Sequence, residues 1–110
     1  MSARLIHGTR SKRYECNIPV AVVVEGWGEV SAISVDISTN GMRLVSKEEI
    51  VVGQCVMVRF TPHPLLGVVA MRAVVRWVQN RLVGLFFVDG AMEIPESYLA
   101  LLGRRELLVA

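Results

Sequence analysis

The sequence predicts an all-β domain, a small closed barrel of six antiparallel strands followed by one short C-terminal helix. Two observations support the barrel: runs of β-branched residues recur along the chain, and glycine, proline or asparagine separates them. Residues 55–61 also alternate apolar and polar side chains in part, as a half-buried strand does. From Pro95 onward the apolar spacing becomes helical, which predicts the terminal helix.

The six strands follow from turn signals between the apolar runs. Gly26-Trp27-Gly28 predicts a tight hairpin turn, and Asn80-Arg81 predicts another. Two prolines and a glycine mark residues 62–67 as a loop. The predicted strands are residues 18–25, 29–37, 41–46, 55–61, 68–79 and 82–88. Because short antiparallel strands in this number leave exposed edges unless they close, we expect a barrel with the helix as a flap.

Charge divides the chain into two parts. The net charge is +2, yet the first 14 residues hold four of the 12 basic residues and no acid. The arm is therefore about +4 and the remainder about −2, which argues against a generally basic surface that coats nucleic acid. We expect one domain, with residues 1–17 as a flexible basic N-terminal arm and residues 18–110 as the barrel with its terminal helix.

Enzymatic chemistry has little support in the sequence. His7 and His63 are the only histidines, and neither has a partner at a spacing typical of a metal site or a catalytic triad. Cys16 and Cys55 lack ligand-type spacing, so we expect two buried, reduced thiols. We therefore predict a non-enzyme without cofactor or metal. The start of the chain has no signal-type apolar region and no apolar run spans a bilayer, so we expect a cytoplasmic protein without membrane insertion.

The most informative motif is D-x-S-x-x-G, formed by Asp36, Ser38 and Gly41 between two predicted strands. It places a carboxylate and a hydroxyl on one face of a strand end, and we expect Gly41 to supply a positive φ for the turn. Such a carboxylate suits the N–H donors of guanine, and nearby arginines suit phosphates. The same spacing is also ordinary turn chemistry, in which Asp36 or Ser38 caps backbone groups.

These residues together resemble the PilZ domain, a bacterial receptor module for cyclic di-GMP. That family combines an R-x-x-x-R motif in an N-terminal arm with the D-x-S-x-x-G motif. Arg13-Tyr14 resembles the end of the arginine motif, and residues 73–78 and 83–87 resemble the late strands. The resemblance covers about residues 9–103 and implies a PilZ-type barrel.

By resemblance, cyclic di-GMP is the ligand, and binding would order the arm and signal to an unidentified protein partner. Arg13 would bind a guanine or a phosphate. Asp36 and Ser38 would form hydrogen bonds with the edge of the base, and Gly41 would stabilise the turn. Supplementary contacts would come from Lys12, Arg43 and Trp77, the last by stacking on a guanine or on the arm. Arg76, which we expect to face solvent, would add to the charge that Arg43 offers to the phosphates.

One departure from the family motif leaves an alternative open. The first arginine of R-x-x-x-R falls on Thr9, and Arg10 lies one position later as the expected substitute. A one-residue shift in an extended segment points a side chain to the opposite face. The alternative is therefore a PilZ-like protein-interaction module without nucleotide binding, as in type IV pilus or motility control. A nucleic-acid-binding barrel is the weakest interpretation, since the body is acidic and exposed aromatics are few.

Overall fold

The computed structural model describes residues 13–64 and 67–88, which contain seven β-strands and no helix. The strands are β1 Tyr14–Glu15, β2 Pro19–Val24, β3 Gly28–Ile37, β4 Gly41–Ser46, β5 Cys55–Phe60, β6 Val69–Gln79 and β7 Leu82–Phe87. The predicted C-terminal helix, with Arg10 and Lys12 of the predicted arm, lies outside the described residues.

Six of these strands close into an antiparallel barrel. The order β1-β3-β2-β5-β6-β7-β4 is completed by a β3–β4 pairing, so β2 to β7 form a ring in which each strand has two neighbours. The predicted six-stranded barrel is confirmed, and each strand begins and ends within about one residue of its predicted bounds. Closure pairs the backbone groups that an open sheet would leave exposed at its edges.

The short β1 continues the sheet from the arm. Tyr14 pairs with Ile37 and Glu15 with Asp36, so β1 occupies the end of β3 that β2 leaves free. Cys16 then turns into the core, where its Sγ lies 3.1 Å from the Ser34 Oγ. The last residues of the predicted arm are thus part of the sheet, directly beside the D-x-S-x-x-G motif.

The core is made by alternate residues of the strands. In β5, Val56, Val58 and Phe60 are buried, whereas Cys55 and Arg59 are exposed. The prediction that both cysteines are buried is wrong for Cys55, because it lies on the outward side of this alternation. Valines dominate the interior, since β-branched side chains pack well on a pleated, half-buried surface.

Two β-bulges interrupt this alternation. The β3–β4 register shifts between Ser34 and Asp36, and the β6–β7 register shifts between Val75 and Trp77. Each bulge inserts one residue without a partner, which changes the face to which the following side chains point. After its bulge, each strand directs a different residue to the outer face of the barrel: Asp36 on β3 and Trp77 on β6.

Candidate functional site

One row of paired residues crosses five strands on the outer face of the barrel, and we call it the site row. Trp77 on β6 pairs with Gly84 on β7, and Gly84 pairs with Arg43 on β4. Arg43 in turn pairs with Asp36 on β3, and Asp36 with Glu15 on β1. Because neighbouring strands lie about 4.8 Å apart, an aromatic ring, a guanidinium and two carboxylates lie within about 20 Å. The row exists in this order only because of the two bulges.

Asp36 is the centre of this row. Its side chain is only 5% exposed, and each carboxylate oxygen accepts from a different arginine. Arg13 donates to Oδ1 through Nε at 3.1 Å and Nη2 at 3.0 Å. Arg43 donates to Oδ2 through Nε at 2.8 Å and also through Nη2. One buried carboxylate therefore fixes two guanidinium groups side by side, in the fork geometry that arginine favours.

The arginines decide the charge state of Asp36. Burial alone would raise the pKa of the carboxyl, but hydrogen bonds and charge attraction from Arg43 and Arg13 outweigh it, so the pKa falls below its usual 3.8. The hydrogen bond to Asp36 likewise raises the pKa of Arg43. Asp36 is thus a carboxylate at neutral pH, and both arginines keep about 40% of their side-chain surface exposed to a ligand.

Ser38 shapes the turn rather than the pocket wall. Its Oγ accepts from the backbone N–H groups of Asn40 and Gly41, both at 3.2 Å, and donates to the Gly41 carbonyl at 3.4 Å. The residue is 1% exposed. Of the two interpretations of this motif, capping of the turn describes Ser38, whereas the Asp36 carboxylate pairs with Arg43 of β4 and with Arg13, which directly precedes β1.

Gly41 is required for a reason that differs from the prediction. Its φ is not positive; within the described residues the glycines with positive φ are Gly26, Gly28, Gly53 and Gly67. Instead, a Cβ at position 41 would overlap the backbone carbonyl oxygen of Leu85 on β7. The prediction of a left-handed turn at Gly41 is therefore wrong. The physical cause is the close approach of two backbones, which sequence spacing does not show.

Trp77 lies on a second glycine. The pyrrole and benzene edges of its ring occupy the place where a Cβ on Gly84 would be, so the indole covers the β7 backbone. The tryptophan is still 39% exposed. Gly84 was not singled out from the sequence, although a glycine inside the strand run of residues 82–87 is a known sign of close approach. One face of the indole is thus held by the protein and the rest is open to solvent.

Arg76, the inserted residue of the β6 bulge, adds a third cation. Its Cζ lies 4.9 Å from the ring centroid of Phe86, which is itself exposed. This distance is typical of a cation–π contact. Among the residues that the structure describes, Arg76 takes part in no ion pair, in contrast to Arg13 and Arg43. Arg76 faces solvent, as the sequence predicted, and lies in the same pocket as Arg43.

These side chains line one open pocket with a volume of about 690 Å³. Its walls combine three guanidinium groups with exposed aromatic surface. Arg13, Arg43 and Trp77 of the predicted site residues line it directly, while Asp36 lies beneath the arginines and Ser38 and Gly41 form the adjoining turn. The lining residues are Arg13, Arg43, Arg76, Trp77, Gly84, Leu85 and Phe86. Such a pocket suits a ligand that has both anionic groups and flat rings.

A match over most of the chain accompanies this geometry: the sequence profile of the PilZ domain matches residues 9–102. The chain belongs to the PilZ family. This is a family of cyclic di-GMP receptors, whose domains act as binding or adaptor modules, and the resemblance drawn from the motifs is confirmed.

Solved structures support the fold of this PilZ domain. The PilZ domain of CeSA from a cellulose-synthesizing bacterium superposes with a TM-score of 0.59 at 15% identity, covering 90% of this chain and 99% of that one. The Bacillus subtilis inhibitor of motility MotI/DgrA gives a TM-score of 0.56 at 18% identity, covering 90% of this chain and 51% of that one. This PilZ chain therefore spans about half the length of MotI/DgrA. No curated protein matches the sequence.

Two other kinds of site find no support in the described residues. Residues 13–64 and 67–88 contain no cluster of three or more histidine, cysteine, aspartate or glutamate side chains that could hold a metal ion. Over the same residues there is no helix of the length and apolarity that a membrane crossing requires.

Proposed function

We propose that this PilZ domain is a cyclic di-GMP receptor that binds the nucleotide in the pocket over the site row and passes the signal to a protein partner. The observation that carries the proposal is the pair of guanidinium groups that Asp36 fixes side by side, with an exposed indole in the same pocket. Cyclic di-GMP offers complementary chemistry, since it has two phosphates and two guanine bases.

Arginine and tryptophan have separate roles in this proposal. Arg13 and Arg43 bind the phosphates or the N7 and O6 acceptors of guanine, because a guanidinium meets either one with two parallel hydrogen bonds. Trp77 stacks on a guanine, and its ring is already held in place by contact with Gly84. Arg76 adds positive charge at the opening of the pocket, where Phe86 supports its side chain.

Asp36 first orients the arginines and then meets the ligand. In the structure both of its oxygens are occupied by Arg13 and Arg43. When Arg13 moves onto the ligand, Oδ1 becomes available to accept from the N1–H and N2–H groups of guanine. Arg13 directly precedes β1, so its movement also draws the basic arm over the bound nucleotide. Arg10 and Lys12 are proposed to add contacts from that arm.

Isothermal titration calorimetry of the purified protein with cyclic di-GMP tests this proposal. We expect saturable binding that Arg13→Ala and Arg43→Ala each weaken at least tenfold, because a charge-assisted hydrogen bond contributes about 1.5–3 kcal/mol. Arg59→Ala is the matched control, since Arg59 is an exposed arginine of β5 whose partner is Glu29. The stoichiometry distinguishes one bound nucleotide from a stacked pair.

Absence of binding would favour the alternative. If cyclic di-GMP gives neither heat nor thermal stabilisation at high concentration, the departure at Thr9 has removed nucleotide binding. Equal loss of affinity in Arg59→Ala would likewise contradict the site assignment. This alternative predicts an exposed apolar surface near the expected terminal helix, in a part of the chain outside the described residues: Tyr98, Leu101, Leu102, Leu107 and Leu108.

A further inference from the structure

A second row of paired residues lies beside the site row on the same outer face, and it is mostly apolar. Leu82 on β7 pairs with Val45 on β4, Val45 pairs with Ile33 on β3, and Ile33 pairs with Pro19 on β2. We call these four residues the apolar row. Val45 and Arg43 are two residues apart on β4, so the two rows are separated by about 7 Å.

The apolar row is exposed. Ile33 is 44% exposed and Val45 is 45% exposed, although both are large β-branched residues in the middle of strands. Pro19 is exposed as well, and Leu82 is half-buried. Scattered apolar residues on a surface are ordinary, but a contiguous row across four strands is the arrangement that marks interaction sites.

Positive charge borders this row on the side of the pocket. Arg43 lies two residues from Val45 on β4, whereas Arg76 lies on the far side of the site row, with its Cζ over the Phe86 ring. Asp36 is the only carboxylate that pairs with either arginine in the described structure. Lys47 and Arg81 are exposed at the other border. Glu48 and Glu49 follow Lys47 along the chain, so the cationic character is strongest on the Arg43 side.

We propose that the apolar row binds a short acidic amphipathic segment of a partner protein, and that cyclic di-GMP competes with this segment for Arg43 and Arg76. The apolar side chains of the segment would cover Ile33, Val45 and Leu82. Its carboxylates would bind Arg43 next to Val45 and, where the segment continues across the site row, Arg76. The competition rests on the proposed function, whereas the docking surface does not. Release of the partner by the nucleotide is then the signal.

Charge and size both select this occupant. A second copy of the chain, docked through the same face, would bring two sets of arginines together, and like charges across an interface are unfavourable. Four partly exposed side chains also offer far less area than the roughly 800 Å² per partner that a standard protein–protein interface buries. A single segment with an apolar face and acidic flanks fits the area and the charge.

Photo-crosslinking with the full-length protein tests the docking surface. The photoreactive residue p-benzoylphenylalanine replaces Val45 in one variant and Val52 in the control, because Val52 is an equally apolar valine, 55% exposed, in the loop before β5. After irradiation in the source bacterium, mass spectrometry identifies the cross-linked peptide. That peptide is then synthesised and titrated against the purified protein with and without cyclic di-GMP.

The expected result is a peptide with acidic and apolar residues that cross-links from position 45 and not from position 52. Its affinity should fall at least tenfold in Ile33→Ser/Val45→Ser and stay unchanged in Val51→Ser/Val52→Ser, a pair of exposed valines of the same loop. Saturating cyclic di-GMP should lower the affinity of the protein for the peptide at least tenfold. The variant Ile33→Ser/Val45→Ser should bind cyclic di-GMP as tightly as the unmodified protein does.

Other outcomes would overturn the proposal in distinguishable ways. Cross-links to a second copy, to the chain's own C-terminal residues, to lipid or to a basic peptide would contradict the stated occupant, as would equal cross-linking from position 52. Peptide and nucleotide bound at the same time would contradict the competition. If the peptide binds but cyclic di-GMP does not, the proposed function fails and the docking surface stands.

Discussion

Two neighbouring rows cross the same five strands and differ completely in character. The inner row, Val75, Leu85, Met42, Ile37 and Tyr14, belongs to the core, and its first four members are at most 5% exposed. The site row lies one residue away on β7, β4, β3 and β1, and two residues away on β6, where Arg76 is inserted. It carries the tryptophan, the arginine and the carboxylates. The side chains of the site row are therefore positioned by strands whose other face packs in the core, and not by a loop.

The largest expected effect comes from a change that separates β4 from β7, to which both rows belong. Gly41→Ala places a Cβ against the Leu85 carbonyl, so we expect the free energy of unfolding to fall by about 3 kcal/mol. Gly53→Ala is the control, since Gly53 has a φ of 95° but open space around it and should lose only about 1 kcal/mol. Urea unfolding measures both. A smaller loss in Gly41→Ala than in Gly53→Ala would contradict the close-approach explanation.

Removal of the charge at the centre of the site row should have the next largest effect. Asp36→Asn keeps the size of the side chain but weakens the hydrogen bonds from Arg13 and Arg43. We therefore expect the free energy of unfolding to fall by about 1–2 kcal/mol. The exposure of both arginines to water limits the loss. Glu29→Gln, which breaks the exposed Arg59–Glu29 pair, should cost less than about 1 kcal/mol. Equal losses of unfolding free energy in the two variants would show that the burial of Asp36 does not strengthen its ion pairs.

A smaller, local effect is expected where the indole covers β7. Gly84→Ala forces the Trp77 ring away from the strand, which we expect to cost about 1 kcal/mol because the exposed side of the ring lets it move. The measurement is quenching of tryptophan fluorescence by acrylamide in a Trp27→Phe background, where Trp77 is the only tryptophan. We expect stronger quenching and weaker cyclic di-GMP binding than in Trp27→Phe alone. Unchanged quenching would contradict the stacking of Trp77 on Gly84.

The smallest expected effect is the pH dependence of stability that the Asp36 carboxylate of the site row contributes. Because the folded pKa of Asp36 lies below its ordinary value of 3.8, its contribution to stability is fully present above that value. It is lost as the pH falls below 3.8 and through the folded pKa. The stability difference between the unmodified protein and Asp36→Asn should therefore shrink over this acid range, as followed by urea unfolding. A difference that is constant with pH would exclude the carboxylate as its cause.

The sequence predicted the strands and the motif well for identifiable reasons. Turn residues such as Gly26 and Asn80 punctuate the valine-rich runs, so strand bounds could be placed within about a residue. The sequence also placed Asp36 and Arg13 in one site through the family motifs. It missed Gly84 and Phe86, because neither belongs to a motif and both reach the pocket only through strand pairing.

The sequence by itself determined that this protein is an all-β PilZ barrel with basic N-terminal residues and an acceptor-bearing turn. Hydrophobic periodicity, turn residues and short motifs are local properties of the chain, so they can be read without the fold. Only the tertiary structure decided that Gly41 serves strand contact, that Ser38 caps its own turn, and that Asp36 binds two arginines. These facts depend on register. Two bulges shift the pairing by one residue each, and such a shift decides which side chains meet across strands that are distant in sequence.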